Sequence, residues 1–145
     1  NCPFDSGHKR DDYKLVFDRK LEPKSEKIYK GLRVSEKTKV FEQKGELMLY
    51  DNIFDNDALI FNPNPFSKVT FVHKFSKKKY LSVEFKNYPF LGIWSNGKNA
   101  PFICIEPWYG ITDHENHNKE LSQKEGIIKL LPNKIFSCEF TVDIL

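Results

Sequence analysis

Ala100-Pro-Phe-Ile-Cys-Ile-Glu106-Pro-Trp-Tyr-Gly-Ile-Thr-Asp113 is an apolar run that meets a carboxylate, then a proline and two aromatic side chains. The residues at 102–105 suit a pleated, half-buried surface, so the stretch predicts a strand that ends at Glu106. Apolar neighbours on both sides predict that Glu106 is partly withdrawn from water, the setting in which a carboxyl group can handle protons. Trp108 and Tyr109 offer flat apolar faces of the kind that stack on sugar rings. A carboxylate beside such rings on a β-scaffold points to a carbohydrate site.

Outward from this stretch the pattern stays β. Upstream, Phe90-Leu-Gly-Ile-Trp94 predicts a strand that enters the turn Ser95-Asn-Gly-Lys. Val69–Val72 and Tyr80–Phe85 alternate apolar with polar and flank Lys77-Lys-Lys79 as the arms of a hairpin would. Further strands are expected at 13–18, 46–50, 58–61, 127–131 and 135–142, with Asn62-Pro-Asn-Pro65 as a strong turn. One helical turn fits within 119–124, and no segment carries a sustained helical period with caps. Short strands punctuated by Pro, Gly and Asn argue for an all-β, mostly antiparallel sandwich or barrel in one domain, 1–145, with no internal boundary.

Composition narrows the function classes. Apolar residues make up 39% and charged residues 30% of the chain, with a formal charge of +3. Acids and bases are interspersed, and the one tight basic run, Lys77–Lys79, reads as a solvated turn, so no nucleic-acid surface is expected. There is no run of 18 apolar residues, so no transmembrane helix is expected and no membrane partner. Cys2, Cys104 and Cys138 give neither a disulfide framework nor a metal pair. Cys104 and Cys138 are expected as small buried hydrophobes, and reduced thiols without an export signal predict a cytoplasmic protein.

Three acids are candidates for chemistry. Glu106 leads; Asp55 and Asp57, which precede a strand, would either bond a hydroxyl-rich ligand or close an Asx turn. Trp94 would serve as core or as a platform for a ring. His114 and His117 have a metal-like spacing but no third ligand at a useful distance, so no metal is expected. His8 and His73 have no sequence partner. Nothing supports nucleophilic or nucleotide chemistry, as GxSxG, P-loop and GxGxxG are all missing.

Phe90-Leu-Gly-Ile-Trp94-Ser, the 100–113 stretch, Glu120-Leu and Lys124-Glu-Gly126-Ile together resemble the galactose mutarotase-like (aldose 1-epimerase) family. The resemblance is nearest to the LacX-type proteins of low-GC Gram-positive bacteria. Asn1-Cys-Pro-Phe and Phe54-Asp-Asn-Asp57-Ala-Leu-Ile-Phe61 fit as well, so it runs along the whole chain but covers only the C-terminal half of the family's domain. It implies a β-supersandwich that interconverts the α and β anomers of a free aldose without a cofactor. In that chemistry a glutamate takes the anomeric proton while a histidine protonates the ring oxygen. The glutamate falls on Glu106 and a substrate-binding aspartate on Asp57, with Asp55 second. Trp94 and Trp108 are expected to line the pocket.

The same resemblance puts the catalytic histidines upstream of Asn1, and none of the four histidines here matches. The chain is therefore expected to hold the base without the acid, to be inactive alone, and to need the N-terminal half of its own domain as a partner. Its expected small-molecule partner is a sugar; the oligomeric state stays open. Rival readings are a non-catalytic carbohydrate-binding module on the same scaffold, a sugar-phosphate epimerase, and glycoside hydrolysis by paired carboxylates such as Glu106 and Asp57. Arginine occurs only at positions 10, 19 and 33, which counts against a phosphate ligand near Glu106.

Overall fold

Period-two burial builds the sheets. In Tyr13-Lys-Leu-Val-Phe17 the first, third and fifth side chains are buried and the two between are half-exposed, as pleated alternation requires. The computed structural model describes residues 1–145, and it is a sandwich of two sheets. The strands are β1 (Cys2–Pro3), β2 (Tyr13–Phe17), β3 (Ser25–Tyr29), β4 (Leu32–Thr38), β5 (Glu46–Met48) and β6 (Leu59–Phe61), followed by β7 (Lys68–His73), β8 (Lys79–Glu84), β9 (Phe90–Trp94), β10 (Phe102–Trp108) and β11 (Thr141–Ile144). One sheet has the order β1-β10-β9-β6-β3-β4 and the other β11-β8-β7-β2-β5. All these pairings are antiparallel. No helix is long and apolar enough to cross a membrane.

The core is a cluster of 19 buried residues between the sheets. Leu59, Phe61, Leu91, Ile93 and Ile103 come from one sheet; Tyr13, Leu15, Phe17, Phe71 and Val83 come from the other. Alternation then turns Ile60, Gly92, Trp94, Glu106 and Trp108 to the opposite face of the six-stranded sheet. A smaller apolar cluster sits there, with Ile60, Phe90 and Ile111 buried and Ile28 and Trp108 packed against them. The sheet thus has a core face and a site face.

The expected all-β class holds, as do the 90–94 strand, the hairpin across the lysine turn and a helical turn at Leu121–Gln123. Several expectations need correction, and one hairpin was not expected at all. The strand through Phe102 does not stop at Glu106 but continues through Pro107 to Trp108; a proline is tolerated because β10 has no partner on its outer side beyond Ile103. The β3–β4 hairpin has a two-residue turn, Lys30-Gly31, with positive φ at both positions (51° and 81°), and its charge-rich arms concealed it in the sequence. The run 127–131 forms no strand, and of 135–142 only the end joins β11. An apolar run becomes a strand when an edge pairs with it and a face covers it, and 127–131 has neither. For the same reason Cys138 is exposed rather than buried; Cys104, on the paired strand β10, is half-exposed rather than buried.

That last stretch exposes Ile127, Ile128, Leu130, Leu131, Ile135 and Phe140, among others. The chain's accessible surface is 9115 Å², against about 7,800 Å² expected of a compact monomer of its 17.1 kDa.

Candidate active site

Glu106 pairs with Gly92 across β10–β9, and Gly92 pairs with Ile60 across β9–β6. This row brings one carboxylate to the middle of the site face. Above it opens a cavity of about 520 Å³, inside the range of about 300–1,000 Å³ typical of small-molecule sites. Ile28, Ile60, Trp94, Trp108 and Ile111 supply apolar walls, and Asp57, Glu106 and Thr112 supply polar groups. Glu106, Asp57, Trp94 and Trp108, named from sequence, therefore meet in one cavity. Asp55 does not line it; its carboxylate faces Lys98 at 3.7 Å.

The two acids are held differently. Asp57 sits at φ 78°, and its Oδ1 accepts the backbone N–H of Ala58 at 2.7 Å, so one oxygen closes the loop into β6. The loop reading and the ligand reading of Asp57 are thus compatible. Glu106 is half-buried on a strand and belongs to none of the chain's ion pairs. Its neighbour on the same face, the Cys104 thiol, is pushed up by burial and then by the Glu106 charge. A raised thiol pKa makes a poorer nucleophile.

No cation lines this cavity, so a ligand there meets two carboxylates, a threonine and apolar walls. That suits a neutral polyol better than a phosphate ester. No histidine lines it either. The rings of His8 and His73 lie tilted against each other with centroids 4.8 Å apart, His8 Nδ1 lying 3.1 Å from the Tyr13 hydroxyl and His73 Nδ1 accepting the Ser76 N–H at 3.1 Å. His114 Nδ1 accepts the Asn116 N–H at 3.2 Å in a polar loop. No group of three or more His, Cys, Asp or Glu side chains converges to hold a metal ion.

A second cavity, of about 550 Å³, lies between Ser137–Thr141 and the ends of β8 and β10. One of its walls is a segment whose side chains are all exposed, so it belongs to the uncovered apolar region rather than to a built site.

Sequence reasoning missed the support beneath the site. Arg33 on β4 is buried, 2% exposed, and donates from Nη1 to Glu26 at 2.8 Å, from Nη2 to Glu125 at 2.5 Å and from Nε to the Thr112 carbonyl at 2.8 Å. Its backbone N–H donates to the Asp113 carbonyl at 2.9 Å, and its carbonyl accepts from Glu115 at 2.8 Å. One guanidinium therefore fixes the Ile111–Thr112 wall against the β3–β4 hairpin. Burial opposes the charge on Arg33, and hydrogen bonds to Glu26 and Glu125 more than restore it, so its pKa lies above the ordinary value. Ile28, paired with Arg33, was missed along with its strand. A buried arginine amid lysines and glutamates leaves no signal in a sequence.

No family model matches the chain. Two curated relatives do: the chromosomal and plasmid LacX proteins of Lactococcus lactis subsp. lactis, each 30% identical over 148 residues, which is 100% of this chain and 49% of theirs. Among solved structures, the galactose mutarotase related enzyme of Lactobacillus acidophilus superposes with a TM-score of 0.82 at 27% identity over 100% of this chain and 49% of that one. A galactose mutarotase-like protein of Lactobacillus casei ATCC 334 does so at 0.73 and 20% identity, over 98% of this chain and 48% of its own. The chain spans about half the length of the curated relatives it matches. Its whole length therefore resembles LacX and carries about half of a galactose mutarotase-like β-fold.

Proposed function

We propose that this chain is the C-terminal part of a single aldose 1-epimerase-like domain, with Glu106 as the general base. The observation that carries the reading is a half-buried carboxylate, free of any ion pair, beside two tryptophans in one cavity. Glu106 takes the proton from the anomeric hydroxyl. The ring opens as an acid protonates the ring oxygen, the first carbon–carbon bond rotates, and closure from the other carbonyl face yields the other anomer. Asp57 has an oxygen left over from its loop bond to accept from a sugar hydroxyl, and Trp94 and Trp108 supply apolar faces. No cofactor takes part, and the free thiols suit a cytoplasmic protein.

The acid lies outside these residues in this reading, and the β1–β10 register supports an entry beside Glu106. β1 runs antiparallel to β10 with Pro3 opposite Phe102 and Cys2 opposite Ile103, so each step back along β1 is a step forward along β10. Polypeptide continuing that strand would set Asn1 opposite Cys104 and the second residue before Asn1 opposite Glu106. The unpaired outer side of β10 and the exposed apolar residues of 127–145 are what such a partner segment would cover. The 145 residues alone should accordingly aggregate or bind an apolar dye. A monomer that unfolds in one cooperative transition would contradict the half-domain reading.

Polarimetry of freshly dissolved α-glucose and α-galactose with the full-length protein tests the function. Accelerated approach to the equilibrium rotation is expected with the free sugars and not with their phosphate esters. One observation favours a second reading: the cavity contains no histidine, so a non-catalytic sugar-binding module remains a rival. Sugar binding without anomer exchange would select it, and release of reducing sugar from a glycoside would instead select the paired-carboxylate hydrolase.

A further inference from the structure

Gly92 occupies the centre of the site face, with Glu106 opposite it on one side and Ile60 on the other. Phe90 and Trp94 precede and follow it on the same face, yet Gly92 itself does not line the cavity. The reason is Trp108. Trp108 pairs with Phe90, but its indole leans two pairs along the ladder and covers Gly92. A Cβ built on Gly92 would lie 2.2 Å from Cη2, 2.3 Å from Cζ2 and 2.9 Å from Cζ3 of that ring. No side chain can stand at 92 while the benzene half of the indole stays where it is.

We infer that Gly92 is a positioning residue that lets the Trp108 indole lie across β9 beside Glu106, where it forms the floor against which the sugar's apolar face packs. The inference rests on the sugar-site reading for its ligand, whereas the packing itself does not. Phe90, Ile60 and Ile111 already fill the space behind the ring, so the half-exposed indole has one way to give: outward, into the cavity. Position 92 thereby sets how much room the sugar has above Glu106. Alanine there leaves the strand intact but displaces the platform into the ligand's place.

The test uses the full-length protein. Gly92→Ala in a Trp94→Phe background leaves Trp108 as the fluorophore within these residues, and its emission should shift to the red as the ring moves toward water. Gly92→Ala alone should weaken binding of galactose or glucose roughly tenfold or more, chiefly as a rise in KM or Kd rather than a fall in kcat. Trp108→Leu removes the ring atoms that clash, so adding Gly92→Ala to it should change binding less than about twofold. An unshifted emission, or an equal loss from Gly92→Ala in both backgrounds, would overturn the inference. A shifted emission in a protein that binds no sugar would overturn the floor's role and the sugar reading, while leaving the Gly92–indole packing intact.

Discussion

Glu106→Gln in the full-length protein should slow anomer exchange by about 10²–10⁴-fold, the usual contribution of a positioned acid or base. Gln keeps the length and planar end of the side chain, so the cavity stays filled and the β10 ladder is untouched. What goes is the capacity to accept a proton. The carboxylate has no ion pair to lose, so stability should change little and the loss should fall on kcat at nearly constant KM. Initial polarimetric rates over a range of sugar concentrations separate the two parameters. An unchanged kcat would remove Glu106 from the chemistry.

Loss of Arg33 should be the most destabilising single change near the site. Arg33→Ala leaves Glu26, whose side chain is 9% exposed, without its guanidinium, and leaves the Thr112 carbonyl without that donor. Breaking a buried pair from one side costs about 3–5 kcal/mol, because a charge remains where water cannot reach it. Lys37, 3.4 Å from Glu26, will recover part of that. Denaturant midpoints of the full-length variant measure the cost. A shift worth less than about 1 kcal/mol would mean that the network is solvated like a surface pair.

The pH dependence of this support follows from Glu125. Burial pushes its carboxyl up, but hydrogen bonds from Asn62 and Arg33 more than offset that and hold it below its ordinary value of 4.5. A depressed carboxyl stabilises the folded state above its unfolded pKa and loses that contribution as pH falls through the folded one. The Ile111–Thr112 wall should thus hold at neutral pH and loosen only below the ordinary carboxyl range.

Much of the site could be read because its chemistry sits on strands with strong local signatures. Phe90–Trp94 is apolar throughout because one face is core and the other carries the site, and the residues around Glu106 announced the carboxylate by contrast. Turn chemistry alone could not separate Asp57 from Asp55, since both suit a turn, and only the resemblance favoured Asp57; the geometry agrees by putting Asp57 in the cavity and Asp55 against Lys98. The β3–β4 hairpin was hidden because its alternate positions carry Lys, Glu and Arg, and with it went Ile28 and Arg33. Gly92 read as one more residue in a strand; only the lean of the Trp108 indole over it reveals its part. Residues 127–131 misled in the other direction, because apolar pattern alone does not supply a partner edge.

One structure of the full-length protein with galactose or glucose bound tests the central claim most directly. The sugar should lie in the cavity between Asp57 and Trp108, its anomeric oxygen about 2.6–3.2 Å from a Glu106 carboxylate oxygen. A sugar bound elsewhere, or turned so that its anomeric carbon faces away from Glu106, would contradict the account.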